Sequence, residues 1–297
     1  MKRRDFLVAG SGLGAATCLA PNPAEAQPAV GAHIKPALCA YTFRDALQKK
    51  KMSYEDLVRF AADNGMDGVD ATSYWFPDPV EDSFLFSLKR TAYRAGIHIY
   101  TLGINTTLTK ADADARRQQV ELIRKWVDIA EKIGASQLRV FAGKPPQGVA
   151  VAPAAAWATE SLKQAVSYAG SRGIVIAIEN HSGVTQQADV LLRMVKDVDS
   201  PWFGINLDTG NFLERQHEQI AACVRYAVSA HIKTKMMDAE KRAEGADLDR
   251  VFRIFAEGGY RGYVALEDSV GPDPFTSVPP VLREMARLAA RYSGGAR

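Results

Sequence analysis

The chain has 297 residues, of which 47% are hydrophobic and 24% are charged, and its formal net charge at pH 7 is +3. This composition is typical of a soluble globular protein, and the length suits one large α/β domain or two smaller ones. The charges are interspersed without a long basic run, so the sequence predicts no concentrated basic face of the kind that binds nucleic acids.

The first 26 residues have the three parts of a bacterial export signal: a basic start, a short apolar run and the A-x-A cleavage site Ala24-Glu25-Ala26. The segment Arg3-Arg4-Asp5-Phe6-Leu7 resembles the twin-arginine signal. We therefore expect a twin-arginine signal peptide at 1–26, a linker at 27–34 and an exported, periplasmic mature protein. The apolar run is too short and too rich in Gly and Ala to span a bilayer, so no stable membrane span is expected after cleavage.

Strand and helix patterns alternate from residue 35 onward. Apolar and β-branched runs predict strands at Pro36–Tyr41, Gly68–Ala71, His98–Gly103, Gln137–Phe141, Ile174–Glu179, Phe203–Asp208, Ala227–Ile232 and Gly262–Glu267. Apolar residues at helical spacing predict helices at Tyr54–Asn64, Asp82–Ala95, Asp112–Ile133, Ala154–Arg172, Gln187–Val198, Glu214–Tyr226, Leu248–Glu257 and Val278–Tyr292. Ser53 and Asp56 predict a capping box, and glycines after several helices predict left-handed caps.

Eight strands that alternate with eight helices in about 260 residues are typical of a (β/α)₈ TIM barrel, here predicted as one domain over residues 35–297. A doubly wound open sheet would alternate in the same way. The number of units and the clustering of polar strand ends late in the chain favour closure. Cys39 and Cys223 lie in apolar patterns and are expected to be two buried thiols without a disulfide.

Four successive predicted strands in the second half of the chain end on or contain a residue that can bind a metal ion. The buried run Ile174–Glu179 ends on Glu179, and the next strands deliver Asp208, His231 and Glu267. In a parallel barrel the carboxyl ends of the strands surround the active-site mouth, so we expect these side chains to meet. A single such acid could instead form a structural ion pair, but that explanation fits four together less well.

Three carboxylates and one imidazole form an oxygen-rich ligand set that favours one divalent ion, Mn²⁺, Mg²⁺ or Co²⁺, with Zn²⁺ as a further option. A metal ion would also compensate the mutual repulsion of the acids. Other polar residues near the same strand ends are candidates for substrate binding: His181, Asn211, Lys233 and Arg139. For Arg139, inside the fourth strand, an ion pair with a buried acid is the structural alternative.

The ordered set of motifs resembles the xylose-isomerase-like TIM barrels, a superfamily that includes sugar phosphate isomerases and epimerases, inosose dehydratases and AP endonuclease family 2 enzymes. The motifs are Ile178-Glu-Asn-His-Ser, Leu207-Asp-Thr-Gly-Asn, His231-Ile-Lys and Leu266-Glu-Asp, and the similarity covers residues 35–297. The resemblance implies metal ligation by the four residues above and proton transfer by Glu179 and Glu267. Three positions depart from the family pattern: Asn211 and Ser229 replace histidines, and Thr234 replaces an aspartate.

These observations predict a metal-dependent sugar isomerase or epimerase that moves a proton through an enediolate. Because sugar phosphates are cytoplasmic, export favours an unphosphorylated sugar, keto-sugar or polyol. A dehydratase or eliminase acting on an inosose or keto-glycoside, and a non-catalytic exported sugar-binding protein, are the alternatives. Phosphodiester cleavage is disfavoured because the chain has only five histidines and little net charge. The sequence is compatible with a homo-oligomer but does not predict one.

Overall fold

The computed structural model describes residues 31–237 and 242–293. The predicted signal peptide and the first half of the predicted linker, residues 27–30, lie outside these residues. The strands are β1 (His33–Cys39), β2 (Gly68–Asp70), β3 (His98–Gly103), β4 (Gln137–Val140), β5 (Val175–Glu179), β6 (Phe203–Asp208), β7 (Ala227–Ile232), β8 (Lys235–Met237), β9 (Ala243–Gly245) and β10 (Arg261–Leu266). The helices are α1 (Arg44–Gln48), α2 (Tyr54–Asp63), α3 (Asp82–Ala95), α4 (Ala113–Ile133), α5 (Val151–Ser171), α6 (Ala188–Val198), α7 (Gln216–Cys223), α8 (Leu248–Glu257) and α9 (Pro274–Tyr292).

The predicted (β/α)₈ TIM barrel is confirmed. Eight parallel strands close in the order β1-β10-β7-β6-β5-β4-β3-β2, and β2 pairs with β1 to complete the ring. The open-sheet alternative is therefore wrong. A short antiparallel hairpin of β8 and β9, which the sequence did not predict, follows β7 outside the barrel.

Local sequence signals set the helix ends around the barrel. Ser53 and Asp56 form the predicted capping box at the start of α2. Gly96 and Gly134 take left-handed conformations after α3 and α4, where a residue with a Cβ atom would be strained. At the C-terminus, α9 begins four residues before the predicted start because Asp273 caps it and Pro274 occupies its first turn.

The first strand also begins earlier than predicted. β1 starts at His33, because residues 33–35 continue the parallel pairing with β10 that Pro36 was expected to begin. In the region before β7, the predicted helix ends at Cys223, and a single 3₁₀ turn covers Val224–Tyr226. None of these shifts moves a strand end that carries a predicted site residue.

The structure has two separate apolar regions. A large core fills the space between the strands and the outer helices, and Cys223 is buried in it. A much smaller cluster of Ala37, Cys39, Tyr100 and Ala265 lies apart from it, and the barrel interior also holds buried polar side chains. TIM barrels usually fill this space with branched aliphatic residues, so the polar interior marks the region that supports a site. Within the described residues, none of the helices combines the length and the apolar character needed to cross a bilayer.

Candidate metal centre and active site

The four predicted metal ligands converge at the carboxyl end of the barrel. Glu179 and Asp208 end β5 and β6, His231 lies in β7, and Glu267 directly follows β10. These strands are neighbours in the sheet, and the parallel register places Asp208 beside His231. One ligand atom from each residue lies within 4.8 Å of the others, and all four side chains are buried.

The imidazole of His231 is held in one orientation by a fifth residue, Asp70. The Nε2 atom of His231 lies 2.8 Å from Asp70 Oδ2, while its Nδ1 atom lies 3.6 Å from Glu179 Oε2 and 3.4 Å from Glu267 Oε2. Thr72 in turn donates to Asp70 at 3.2 Å. The Nδ1 atom is therefore the one that faces the acids, and Asp70 is the carboxylate partner that metal-binding histidines commonly have on their other nitrogen.

Two basic side chains compensate the buried acids. Arg139 is 1% exposed, and its Nε atom lies 3.2 Å from Glu179 Oε2. Lys233 Nζ lies 3.2 Å from Asp208 Oδ2 and also forms an ion pair with Glu267. Room for the guanidinium comes from Gly103 on the adjacent strand, where a Cβ atom would lie 2.5 Å from Arg139 Nη2. The arginine therefore depends on a glycine at the end of β3.

The two glutamates have opposite pKa shifts. Burial, reinforced by the charges of Glu267 and Asp208, raises the pKa of Glu179 to about 7 despite the nearby Arg139. Burial alone would also raise the pKa of Glu267, but the charges of Lys233 and His231 hold it well below its usual value. The site therefore keeps one carboxylate ionised and another poised to gain or lose a proton near neutral pH.

The pKa values of Asp208 and His231 also depend on the opposing effects of burial and neighbouring charges. Burial raises the pKa of Asp208, with Lys233 opposing the shift. Burial would lower the pKa of His231, but the charge of Glu267 and the hydrogen bond to Asp70 raise it well above its ordinary value. Without a metal ion, the cluster thus contains cationic partners for its ionised acids.

Three neutral polar side chains form a hydrogen-bonded series that contacts the acids. The Asn206 amide nitrogen lies 3.2 Å from both Glu179 Oε2 and His231 Nδ1. Ser229 donates to Asn206 Oδ1 at 2.6 Å, and Gln137 donates to Ser229 at 2.7 Å. Ser229, one of the departures from the family pattern, therefore fixes the amide that contacts two candidate ligands.

A cavity of about 540 Å³ opens above the cluster. Tyr41 and Tyr74 meet edge to face on its wall, with ring centroids 6.3 Å apart, and His181 packs against Phe141 at 4.6 Å. Seven of the eight predicted site residues line the cavity, and the eighth, His231, is fully buried beneath it. This shape and polarity suit a small polar molecule with an apolar face.

The four predicted substrate-binding residues differ in their availability. Arg139 and Lys233 pair with the acids, and the Asn211 amide donates to Asn180 O at 2.9 Å and approaches Glu179 Oε1 at 3.4 Å. Only His181 contacts neither an acid nor an amide of the cluster among the described residues; its ring nitrogen shares a hydrogen bond with Ser182. The substrate-binding roles stay predictions, and three of these side chains already hold the candidate ligands in place.

The residues fit a divalent metal ion. Asp208 Oδ2 is fully buried and has no hydrogen bond in residues 31–237 and 242–293, although Lys233 Nζ is nearby. The ammonium compensates the charge of this oxygen without satisfying its lone pairs, and a metal ion would coordinate them. Together with Glu179, Glu267 and His231 Nδ1, this oxygen completes an oxygen-rich set of four ligands.

Comparison with known proteins gives the family and the fold. The family model described as xylose isomerase-like TIM barrel matches residues 58–290. Similar solved structures include a D-psicose 3-epimerase from Clostridium cellulolyticum H10 with D-tagatose, at 18% identity and a TM-score of 0.66, with 87% of this chain and 98% of that chain covered. No curated protein matches the sequence.

Two further solved structures have the same fold. The probable 3-DHS dehydratase AsbF from Bacillus anthracis is 16% identical with a TM-score of 0.64, and 85% of this chain and 98% of that chain are covered. A xylose isomerase-like TIM barrel protein from Mycobacterium smegmatis in complex with magnesium is 17% identical with a TM-score of 0.68, and 88% and 98% are covered. With the family model matching more than half of its length, the chain belongs to the xylose isomerase-like TIM barrel family.

Proposed function

We propose that this protein is a metal-dependent sugar isomerase or epimerase that moves a proton on an unphosphorylated sugar or keto-sugar through an enediolate. The observation that carries the proposal is the pair Glu179 and Glu267. Both belong to the four-ligand cluster beneath the mouth cavity, and their pKa values shift in opposite directions. The epimerase and the magnesium complex among the structural neighbours support it.

We assign proton transfer to Glu179 and Glu267, which belong to one cluster beneath the cavity. In the site without a metal ion Glu267 is ionised and the pKa of Glu179 is about 7, and a bound metal ion would favour the ionised form of both. The two carboxyl groups can then remove a proton from a substrate carbon and return one to it. Return of the proton to the same carbon gives epimerisation, and return to the adjacent carbon gives isomerisation.

Glu179, Asp208, His231 and Glu267 are the residues that would hold the metal ion. When bound, a divalent ion would supply a Lewis acid for a carbonyl and adjacent hydroxyl of the substrate. The protein's own groups orient the acids: Arg139 and Asn206 hold Glu179, and Asp70 holds His231. His181 and the aromatic wall of Tyr41 and Tyr74 are the groups we assign to the sugar.

The substrate class follows from the expected export and from the cavity. Periplasmic export of the mature chain, which is part of this proposal, separates the enzyme from cytoplasmic sugar phosphates. The cavity volume of about 540 Å³ accommodates a monosaccharide or a small glycoside. The aromatic rings offer apolar faces on which the C–H faces of a sugar ring can pack.

A lyase that eliminates water or another β-substituent is the second candidate. Elimination needs an acid for the leaving group, and Tyr74 provides one at the cavity wall. Burial raises the pKa of its hydroxyl, which therefore stays protonated, and Arg139 Nη1 lies 3.2 Å away. The dehydratase among the structural neighbours supports this reading.

Proton exchange in D₂O tests the proposal. The mature protein, loaded with Mn²⁺ or Mg²⁺, is incubated with a panel of unphosphorylated ketoses and keto-glycosides, and ¹H NMR follows loss of the α-proton signal. We expect deuterium incorporation with one member of the panel, and its loss in Glu179→Gln and Glu267→Gln. Formation of an unsaturated product with loss of water would assign the lyase instead. Metal-loaded protein that binds a sugar but exchanges no proton would overturn both and identify a binding protein.

A further inference from the structure

The barrel has a second cavity at its opposite, amino end. It measures about 400 Å³ and is lined by residues at the starts of five barrel strands, β1, β3, β4, β5 and β10, together with Val228 near the start of β7. We call it the amino-end cavity, and its lining residues are His33, Lys35, His98, Tyr100, Ser136, Gln137, Val175, Val228, Arg261, Gly262 and Tyr263. It lies outside the proposed active site, since none of these residues lines the mouth cavity.

Aromatic and small residues shape this cavity. The rings of Tyr100 and Tyr263 stack with centroids 4.3 Å apart and an interplanar angle of 9°. Gly68 allows Tyr263 to lie flat against β2, because a Cβ atom at Gly68 would lie 2.7 Å from the Tyr263 ring. Tyr263 is further fixed by a 3.1 Å hydrogen bond between its hydroxyl and His98 Nδ1. The cavity therefore has a rigid wall.

The charge of the lining is entirely basic. Lys35 and Arg261 line the cavity with two histidines, and no carboxylate is among the lining residues. Lys35 Nζ lies 5.3 Å above the Tyr263 ring, and Arg261 donates to Gly31 O at 2.6 Å. Neither cation has an ion pair with an acid in the part of the chain that the structure describes. Two acids act on the lining tyrosines from outside the lining: exposed Asp67 on Tyr263 and buried Asp70 on Tyr100.

The charge of Lys35 acts on His98, which lies in the wall of the same cavity. Burial, with the charge of Lys35, lowers the pKa of the half-buried His98, so this imidazole is neutral at pH 7. The ring already shares a hydrogen bond with the Tyr263 hydroxyl through Nδ1 and has another with the Gly134 backbone, so His98 shapes the wall of the cavity rather than offering a free donor. The two cations, Lys35 and Arg261, beside a concave space of this size are charged donors suited to a small oxyanion.

We propose that the amino-end cavity is a binding site for a small oxyanion, of the carboxylate or phosphate type, held by Lys35 and Arg261. The site is independent of the proposed catalytic function. Gln137 lines the cavity and also begins the hydrogen-bonded series through Ser229 and Asn206 to Glu179, so the two ends of the barrel are physically connected.

Calorimetric titration with inorganic phosphate, at constant ionic strength in chloride buffer, tests the proposal. We expect saturable binding of one phosphate per chain, and a loss of about tenfold or more in affinity for Lys35→Gln and for Arg261→Gln. Lys144→Gln is the matched control, because Lys144 lines only the mouth cavity; it should keep wild-type affinity. Circular dichroism verifies that each variant is folded.

Competition with acetate and malonate distinguishes the two sources of the oxyanion. Displacement of phosphate by malonate at similar concentration assigns a carboxylate ligand, and failure to displace it assigns a phosphate. Absence of saturable binding to the wild type would overturn the proposal. So would equal affinity in wild type and both amino-end variants, or a loss of binding in Lys144→Gln alone, which would place the anion in the mouth cavity.

Discussion

The two ends of the barrel hold charge in opposite ways. At the carboxyl end, Glu179, Asp208 and Glu267 are buried together and paired with Arg139 and Lys233. At the amino end, half-buried and exposed cations line a cavity without any carboxylate. Buried acids need compensation inside the protein, whereas cations that keep contact with water do not.

This difference in charge explains why the proposed metal binding and proton transfer lie at the carboxyl end of the barrel. A cluster of acids that is compensated by long, basic side chains can exchange one of those cations for a metal ion or a substrate. The pKa shift of Glu179 is a direct consequence of this crowding. The lining of the amino-end cavity contains no carboxylate, and we expect it to bind ions but not to move protons.

Removal of the buried cation should have the largest effect on stability. Arg139→Met leaves Glu179 without its charge partner, and we expect a loss of about 3–5 kcal/mol in the free energy of unfolding at pH 8. Because protonated Glu179 needs no cation, the loss should shrink as the pH falls below 7. Urea unfolding measures both values.

The matched control for this prediction is Lys35→Met at the amino end. Its ammonium has no acid partner in the described residues, so the expected loss is below about 1 kcal/mol, mainly from its contact with the Tyr263 ring. Equal losses in the two variants would contradict the contrast between the two ends.

Loss of the residue that orients His231 should weaken metal binding. Asp70→Asn keeps the shape of the side chain but removes the charge beside His231 Nε2, and we expect Mn²⁺ affinity to fall by about 10–100-fold. Isothermal titration measures it. Asp67→Asn, three residues earlier and exposed, is the control and should bind as the wild type does. An unchanged affinity in Asp70→Asn would show that His231 Nδ1 is not a ligand.

The raised pKa of Glu179 predicts a pH-dependent metal affinity. Below a pH of about 7 this carboxyl carries a proton that the metal ion must displace, so affinity should fall by about tenfold per pH unit as the pH decreases and should level off above 7. Titration of Mn²⁺ between about pH 5.5 and 8 gives the profile. The Glu179→Gln variant should bind more weakly and lose this slope. A profile that is flat in the wild type would contradict the proton competition.

The smallest change is expected at Lys233, whose ammonium lies against two of the candidate ligands. Lys233→Met removes a cation that competes with the metal ion, and we expect Mn²⁺ affinity to rise by several-fold, up to about tenfold. Lys235→Met, two residues later and exposed, is the control. Weaker binding in Lys233→Met would show that the lysine supports the metal site rather than competing for it.

Much of this arrangement follows from the sequence because a parallel barrel brings strand ends together. Polar residues at the ends of four buried runs were enough to predict that Glu179, Asp208, His231 and Glu267 meet, and in the structure one ligand atom of each lies within 4.8 Å of the others. Asp70 has the same signal at the end of β2, and it was missed as a site residue because it is separated from the other four along the chain.

Other features could not be predicted from the pattern. Whether Arg139 would bind a substrate or an acid depends on the space that Gly103 leaves for its side chain. That Gly103 lies beside Arg139 follows from the register of β3 and β4, which the sequence pattern does not give. The series from Gln137 to Asn206 depends on which faces of three strands turn inward. The twin-arginine signal lies outside the described residues and stays a prediction.

The measurement that tests the central claim most directly is elemental analysis of the purified mature protein, beside the double variant Glu179→Gln with Asp208→Asn, after incubation of both with Mn²⁺. We expect one divalent ion per wild-type chain and none in the variant. No metal in either protein, or the same amount in both, would contradict the assignment of these four residues as a metal centre.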